Sequence, residues 1–259
     1  MHVNDGDTIA LEGFTHLIPF AAGQEIIRQK KRELTAIRLT PDLIYDQLIG
    51  AGCVAKLIFS WGGNPGVGSL HRLRDALANG WPRAIEIEEH THAGMTNRYV
   101  AGASGLPFAI LRGYAGTDLL TKTQNIAQID SPFGNEKLLA VAALNPDVTI
   151  IHAQQADRKN NVMSWGILGS SKEAIFAAKK VIVTVEEIVD EFEPRHSSVI
   201  IPEKLITALA VAPRGAWPSY ASGYYERDND QYIAWDEISK ERDSFENWLN
   251  DQIFSGGSN

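Results

Sequence analysis

The chain has 259 residues, 44% of them hydrophobic and 22% charged, with a net charge of −8 at pH 7 and one cysteine. Such a length and apolar content bury a sizeable core without metal or disulfide, and the lone Cys53 excludes an internal disulfide and leaves a thiolate cluster without ligands, which favours the cytoplasm. The negative balance repels a nucleic-acid backbone, no stretch approaches the ~20 apolar residues of a membrane span, and residues 1–7 have neither the basic nor the apolar segment of a secretion signal.

Thr8 to Leu11 is a short β-rich apolar run, followed by a Glu12-Gly13-Phe14 turn and a helical pattern from Ala21 through Lys31. The order then recurs. Thr35 to Leu39 predicts a strand, Asp42 to Leu48 a helix, Ala55 to Ser60 a buried strand, Leu70 to Ala78 a helix and Ala84 to Ile87 a strand. Further strands are predicted at Phe108 to Leu111, Val148 to His152 and Val181 to Val185, with helices near Thr96 to Ala103 and Ser171 to Lys180. The tract Ala212 to Asp230 is expected to make a surface excursion packed on its own domain, before a terminal helix around Ile233 to Leu249 and a flexible tail over 255–259. Strands alternating with helices imply an α/β fold with a mostly parallel sheet and helices on both faces. No domain boundary stands out, so residues 1–259 are expected to form one domain, with a C-terminal arm and helix from about residue 212.

In open parallel sheets ligands bind at the carboxyl ends of the strands. There the chain carries Glu12-Gly13-Phe14-Thr15-His16, Trp61-Gly62-Gly63-Asn64, Glu88-Glu89-His90-Thr91-His92 and His152-Ala153-Gln154. Glycines at such ends let backbone N–H groups approach an anionic ligand or a developing oxyanion. No GxGxxG, Walker A or Gly-x-Ser-x-Gly spacing is present, which argues against nucleotide binding and serine hydrolysis. Glu88, Glu89, His90 and His92 offer metal-type ligands within five residues, but on an extended segment they alternate between faces, so a polar site edge is preferred and no metal is expected. His152 is open to a structural or an active-site role, and Glu186-Glu187 is expected to cap a helix or face water.

Asn4-Asp5-Gly6-Asp7-Thr8 with Leu11-Glu12-Gly13-Phe14 resembles the opening signature of the A subunits of class I CoA-transferases, although Glu12 stands where the family pattern has a second glycine. The likeness continues through Ser60-Trp61-Gly62-Gly63-Asn64-Pro65-Gly66, Glu88 to His92, Gly105-Leu106-Pro107-Phe108, Ile151-His152-Ala153-Gln154, Thr184 to Val189 and Tyr224 to Asp228, nearly the whole length. It lies toward the members that act on 3-oxoadipate. Asn160 and Arg214 replace glycines of the pattern, and a first helix is missing, so the chain is expected to be shortened at its start.

The resemblance implies a fold of the NagB/RpiA/CoA-transferase type, a partner B subunit in an α2β2 assembly, and transfer of CoA from succinyl-CoA to a 3-oxoacid, with 3-oxoadipate the expected acceptor. CoA thioester is then a substrate, and no cofactor is permanently bound. The nucleophilic glutamate of this family lies in a Ser-Glu-Asn-Gly-like segment of the B subunit, and no such segment occurs here, so no catalytic residue is expected in this chain. Its own part is to line the acid-binding side with Gly13, Phe14, Thr15, Trp61, Gly62, Gly63, Asn64, Glu89, His90 and Thr91. The implied alternative is a hydrolase subunit of the same fold, acting on water through Glu88 or Glu89.

Overall fold

The computed structural model describes residues 2–255. Apart from Ser255, the expected flexible tail lies outside them. Strand β1 (Thr8–Glu12) is followed by α1 (Phe20–Arg28), β2 (Leu34–Arg38), α2 (Leu43–Gly50), β3 (Val54–Phe59), α3 (His71–Asn79), β4 (Glu86–Glu89) and α4 (His92–Ala103). Then come β5 (Phe108–Leu111), α5 (Leu119–Lys122), β6 (Ile126–Asp130), β7 (Lys137–Ala142), β8 (Val148–Asp157), β9 (Val162–Ser164), α6 (Ser171–Ala177) and β10 (Lys180–Val189). Strands β11 (Val199–Ile201) and β12 (Ala208–Val211) and helices α7 (Asn229–Lys240) and α8 (Arg242–Trp248) follow, and a π-helical segment, Leu249–Phe254, comes last.

The main sheet has nine strands. β12, β10, β8, β1, β2, β3 and β4 lie side by side, and every pairing along that path is parallel. Antiparallel β9 and β11 attach to the end of β8, which runs beyond β1. Alternation along the strands divides the core into two layers. Ile9, Leu11 and Leu57 join α1, α2, α3 and the C-terminal helices on one face. Ala10, Ile37 and Ile58 meet Met95 and Tyr99 of α4 and Ala174 and Ala177 of α6 on the other. The expected parallel sheet with helices on both faces is therefore present.

Strands β9, β11 and β12 were not expected from the sequence, and two larger features also differ. Residues 108–142 build a separate antiparallel sheet in the order β5-β7-β6, where only its first strand was expected. The terminal helix breaks at Glu241 into α7 and α8, because Trp235, Phe245 and Trp248 turn inward together on the core. The 212–230 tract packs against the chain's own strand ends, with Leu17 N–H donating to Tyr220 O and Ser219 Oγ to Thr15 O.

Candidate functional site

The loops that follow β1 to β4 are laced together by hydrogen bonds. Arg38, fully buried at the end of β2, donates through Nη2 to Gly13 O at 2.8 Å and through Nη1 to Asp42 at 2.9 Å. The amides of Ser60 and Trp61 donate to Leu39 O, that of Gly63 to Pro41 O, and that of His90 to Phe59 O at 2.7 Å. Gly13, Trp61, Gly62, Gly63, His90 and Thr91 are thus held along one sheet edge.

Side chains within that group do different work. Trp61 stands 48% exposed over Gly63, where an added Cβ would come 2.6 Å from its ring. Glu89 is exposed, and its carbonyl accepts from Thr123 Oγ1. Thr91 caps α4 by accepting from Gly94 N–H at 3.0 Å. Thr15 adopts a left-handed φ of 58° in the tight turn after β1, and Phe14 packs beside Gly169. Asn64 points away from the edge, buried, donating to Tyr232 O at 2.8 Å. Its side chain therefore anchors the C-terminal helices, and only its backbone belongs to the loop.

His90 is also buried, and its ring is committed. Tyr114 Oη accepts from Thr91 N–H and lies 3.0 Å from His90 Nδ1, while Nε2 sits between Glu88 Oε1 at 3.0 Å and Arg98 Nη1 at 2.7 Å, so both ring nitrogens are engaged. Burial lowers the His90 pKa, consistent with a neutral ring. Around Glu88 gather Arg98 Nη1 at 2.6 Å, Lys56 Nζ at 2.8 Å and Asn125 Nδ2 at 2.9 Å. Burial alone would raise its pKa, but the bonds from His90, Lys56 and Asn125 and the Arg98 charge hold it well below the usual carboxylate range. His92 begins α4 rather than continuing an extended strand, so the alternation expected across Glu88 to His92 does not reach His92. Among the described residues no cluster of three metal-type ligands exists.

A second buried pair lies on the long strands. His152 Nε2 sits 2.7 Å from Glu186 Oε1, and Nδ1 sits 2.8 Å from Thr184 Oγ1. Glu186 also accepts from Tyr225 Oη at 2.6 Å and from Arg214 N–H at 2.7 Å, tying the 212–230 tract to the sheet. Glu186 is thus a buried strand residue, not a helix cap. His16, absent from the expected lining set, joins the same region. It receives Ser222 N–H on Nε2 and donates from Nδ1 to Ile167 O, and burial lowers its pKa. A narrow crevice lined by Gly13, His16, His152, Ser164, Ser171 and Lys172 connects this pair to the first strand end.

Glu12 is a third buried glutamate, at the end of β1, and accepts from Tyr99 Oη at 2.7 Å. Burial pushes its pKa up to about 7 despite Arg38 nearby. A group that binds its proton more tightly folded than unfolded makes stability fall as pH rises between the two values. Glu12→Gln is therefore expected to abolish a stability loss of about 3 kcal/mol between the ordinary 4.5 and pH 8. Melting curves of both chains from pH 4 to 8 check this, and parallel profiles would exclude the shift.

The coenzyme A transferase family model matches residues 1–212. The chain is 62% identical to the A subunit of 3-oxoadipate CoA-transferase from Pseudomonas knackmussii, over 97% of its own length and 89% of that protein. The A subunit of glutaconate CoA-transferase from Acidaminococcus fermentans is 33% identical over 98% of this chain and 84% of that one. The crystal structure of that transferase superposes with a TM-score of 0.90, covering 99% of this chain and 86% of the other. An uncharacterized Archaeoglobus fulgidus protein is 33% identical over 90% of this chain, which spans only 53% of it. The chain belongs to the coenzyme A transferase family.

Proposed function

We propose that this chain is the A-type half of a transferase that carries CoA from succinyl-CoA to 3-oxoadipate, paired with a B-type subunit in an α2β2 assembly. The observation that carries the reading is the 62% identity, along nearly all of both chains, to a protein named as the A subunit of 3-oxoadipate CoA-transferase. The catalytic carboxylate comes from the partner. Its attack on the thioester carbonyl breaks the acyl–sulfur bond and gives an acyl-glutamyl anhydride and CoA thiolate. The thiolate then attacks the glutamyl carbonyl, releasing succinate and leaving a glutamyl-CoA thioester. The acceptor carboxylate attacks that thioester to give a new anhydride and thiolate, and return of the thiolate to the acceptor acyl carbon frees the glutamate.

The geometry supports a glutamate in trans. The three buried strand-end carboxylates of this chain, Glu12, Glu88 and Glu186, are each engaged by hydrogen bonds or ion pairs, so none is free to act as a nucleophile. The same engagement makes Glu88 a poor base for the hydrolase alternative, whose other candidate is the exposed Glu89. What this chain contributes is the row from Gly13, Phe14 and Thr15 through Trp61 to Asn64 and Glu89 to Thr91, which lines the acid side with backbone groups and a rigid turn. Among the described residues no helix is long and apolar enough to cross a membrane, and a cytoplasmic location fits this reading.

The test is an assay of succinyl-CoA-dependent transfer to 3-oxoadipate after co-expression with the cognate B-type subunit, each chain alone serving as control. Activity is expected only in the pair. CoA release without an acceptor acid would replace the transferase with a hydrolase. In the same assay Gly63→Val is expected to lower turnover by about 100-fold, because the new side chain displaces Trp61, while the pair still assembles. Unchanged turnover would remove the Trp61 loop from the site.

A further inference from the structure

In the small sheet formed by β5, β7 and β6, the strands β5 and β7 are apolar on both faces over most of their length. Phe108 to Leu111 and Leu138 to Ala142 are unbroken apolar runs, the pattern of strands covered on two sides rather than one. Leu111, Ile126, Leu139 and Val141 meet Tyr114, Leu119 and Leu120 and form a closed cluster on one face. Register places Phe108 opposite Ala142, Ala140 between Ile110 and Ala127, and Leu138 opposite Ile129 on the other. There Phe108 and Ile110 are 43% and 50% exposed. Beyond it, on the β6–β7 turn, Phe133 is 97% exposed, the most exposed large apolar side chain among the described residues. Phe108 lies at the Ala142 end of β7 and Phe133 at the other, so exposed apolar side chains run along the length of the small sheet, the mark of an interaction site.

Its place in the fold says what covers it. The small sheet is fastened to the end of β4: Thr123 Oγ1 donates to Glu89 O at 2.7 Å, and Asn125 Nδ2 to Glu88 at 2.9 Å. It therefore adjoins the strand-end loops where the partner's carboxylate must arrive. A second copy of this chain would bring no such carboxylate. In the archaeal relative, the part that matches this chain is joined to almost as much polypeptide again.

We infer that the Phe108–Ile110 face and the Phe133 turn are the docking surface for the B-type subunit, seating it beside the strand ends. This rests on the reading that the nucleophile is supplied in trans. Phe133→Asp and the double variant Phe108→Asp with Ile110→Asp are measured for binding to the tagged cognate B-type subunit by co-purification and titration. Leu77→Asp on α3, also exposed, is the control. Each variant is expected to weaken binding by about 30-fold or more, as when a central apolar anchor is lost, and the control is expected to bind normally. Phe133 makes too little contact within the chain for its replacement to disturb folding, and an unchanged melting temperature verifies this. Retained binding in both variants overturns the assignment. So does a loss confined to self-association of this chain, or the absence of any complex between the unmodified chains. The reaction is judged separately on the unmodified pair. A stable pair without CoA transfer removes the proposed activity and leaves the docking surface standing.

Discussion

Arg98→Ala is expected to destabilise the chain by about 3–5 kcal/mol, the usual consequence of removing one partner from a buried charge cluster. Arg98 is 3% exposed, and its guanidinium links three elements. It belongs to α4, donates to Glu88 at the end of β4 and, through Nε, to Ala142 O at the end of β7. Truncation leaves that carbonyl without its donor and Glu88 with only the half-buried Lys56 as a cation. Urea unfolding of the isolated chain measures the loss, with Lys122→Ala as a reference. The Lys122–Asp118 pair is exposed, and its removal is expected to change stability by less than about 0.5 kcal/mol. Equal unfolding midpoints for Arg98→Ala and the unmodified chain would show the cluster to be energetically idle. The pH dependence carries a second signature. Because the folded Glu88 pKa is depressed, its contribution is present above the ordinary 4.5 and is lost as pH falls through the folded value. That acid sensitivity is expected to shrink in Arg98→Ala.

Gly13→Ala is expected to lower kcat of the reconstituted pair by about 100-fold, the scale on which a displacement of about 1 Å disrupts a positioned site. Gly13 has a φ of 156°, and a Cβ there would lie 2.7 Å from Leu17 O and 2.8 Å from His16 O. Both obstacles are backbone. They cannot step aside cheaply, since Leu17 N–H is bonded to Tyr220 O and the His16 ring is fixed between Ile167 O and Ser222 N–H. The turn must move as a unit, carrying Phe14 and Thr15 away and loosening the Arg38 bond to Gly13 O. Steady-state kinetics on a pair shown by gel filtration to be intact decides the matter. A wild-type kcat would place this turn outside the reaction path.

Much of the fold is legible in the residue order, because buried parallel strands write themselves as short apolar runs separated by helical periods. Thr8 to Leu11, Thr35 to Leu39, Ala55 to Ser60 and Phe108 to Leu111 fall on observed strands with ends displaced by a residue at most. What escaped depends on partners distant in sequence. Ile126 to Asp130 is half polar and gains its strand identity only by pairing with β7. Glu186-Glu187 looks like a charged helix start until β10 is seen to continue along β8, where Glu186 reaches His152 across the strands. The glycine-rich loops were readable as one strand-end cluster, but the division of labour within them was not. Whether Asn64 faces the edge or Tyr232, and whether His90 has a free nitrogen, is set by Tyr114 and the C-terminal helices.

The position of β8 between β1 and β10 also bears on synthesis of the chain. Thr8 is bonded to Asp147 across 139 residues, and Ile9 to Glu12 pair with Val148 to Ile151. A nascent chain can assemble β1 to β4 with their helices, yet one edge of β1 stays open until β8 has left the ribosome. At roughly 5–20 residues per second, that interval lasts on the order of ten seconds. During it Ile9, Ala10 and Leu11 offer unpaired backbone groups to any other extended segment. The apolar centre of the sheet is thus a point of vulnerability for the unfinished chain, and closing it is the step that separates an aggregation-prone fragment from a chain ready to meet its partner.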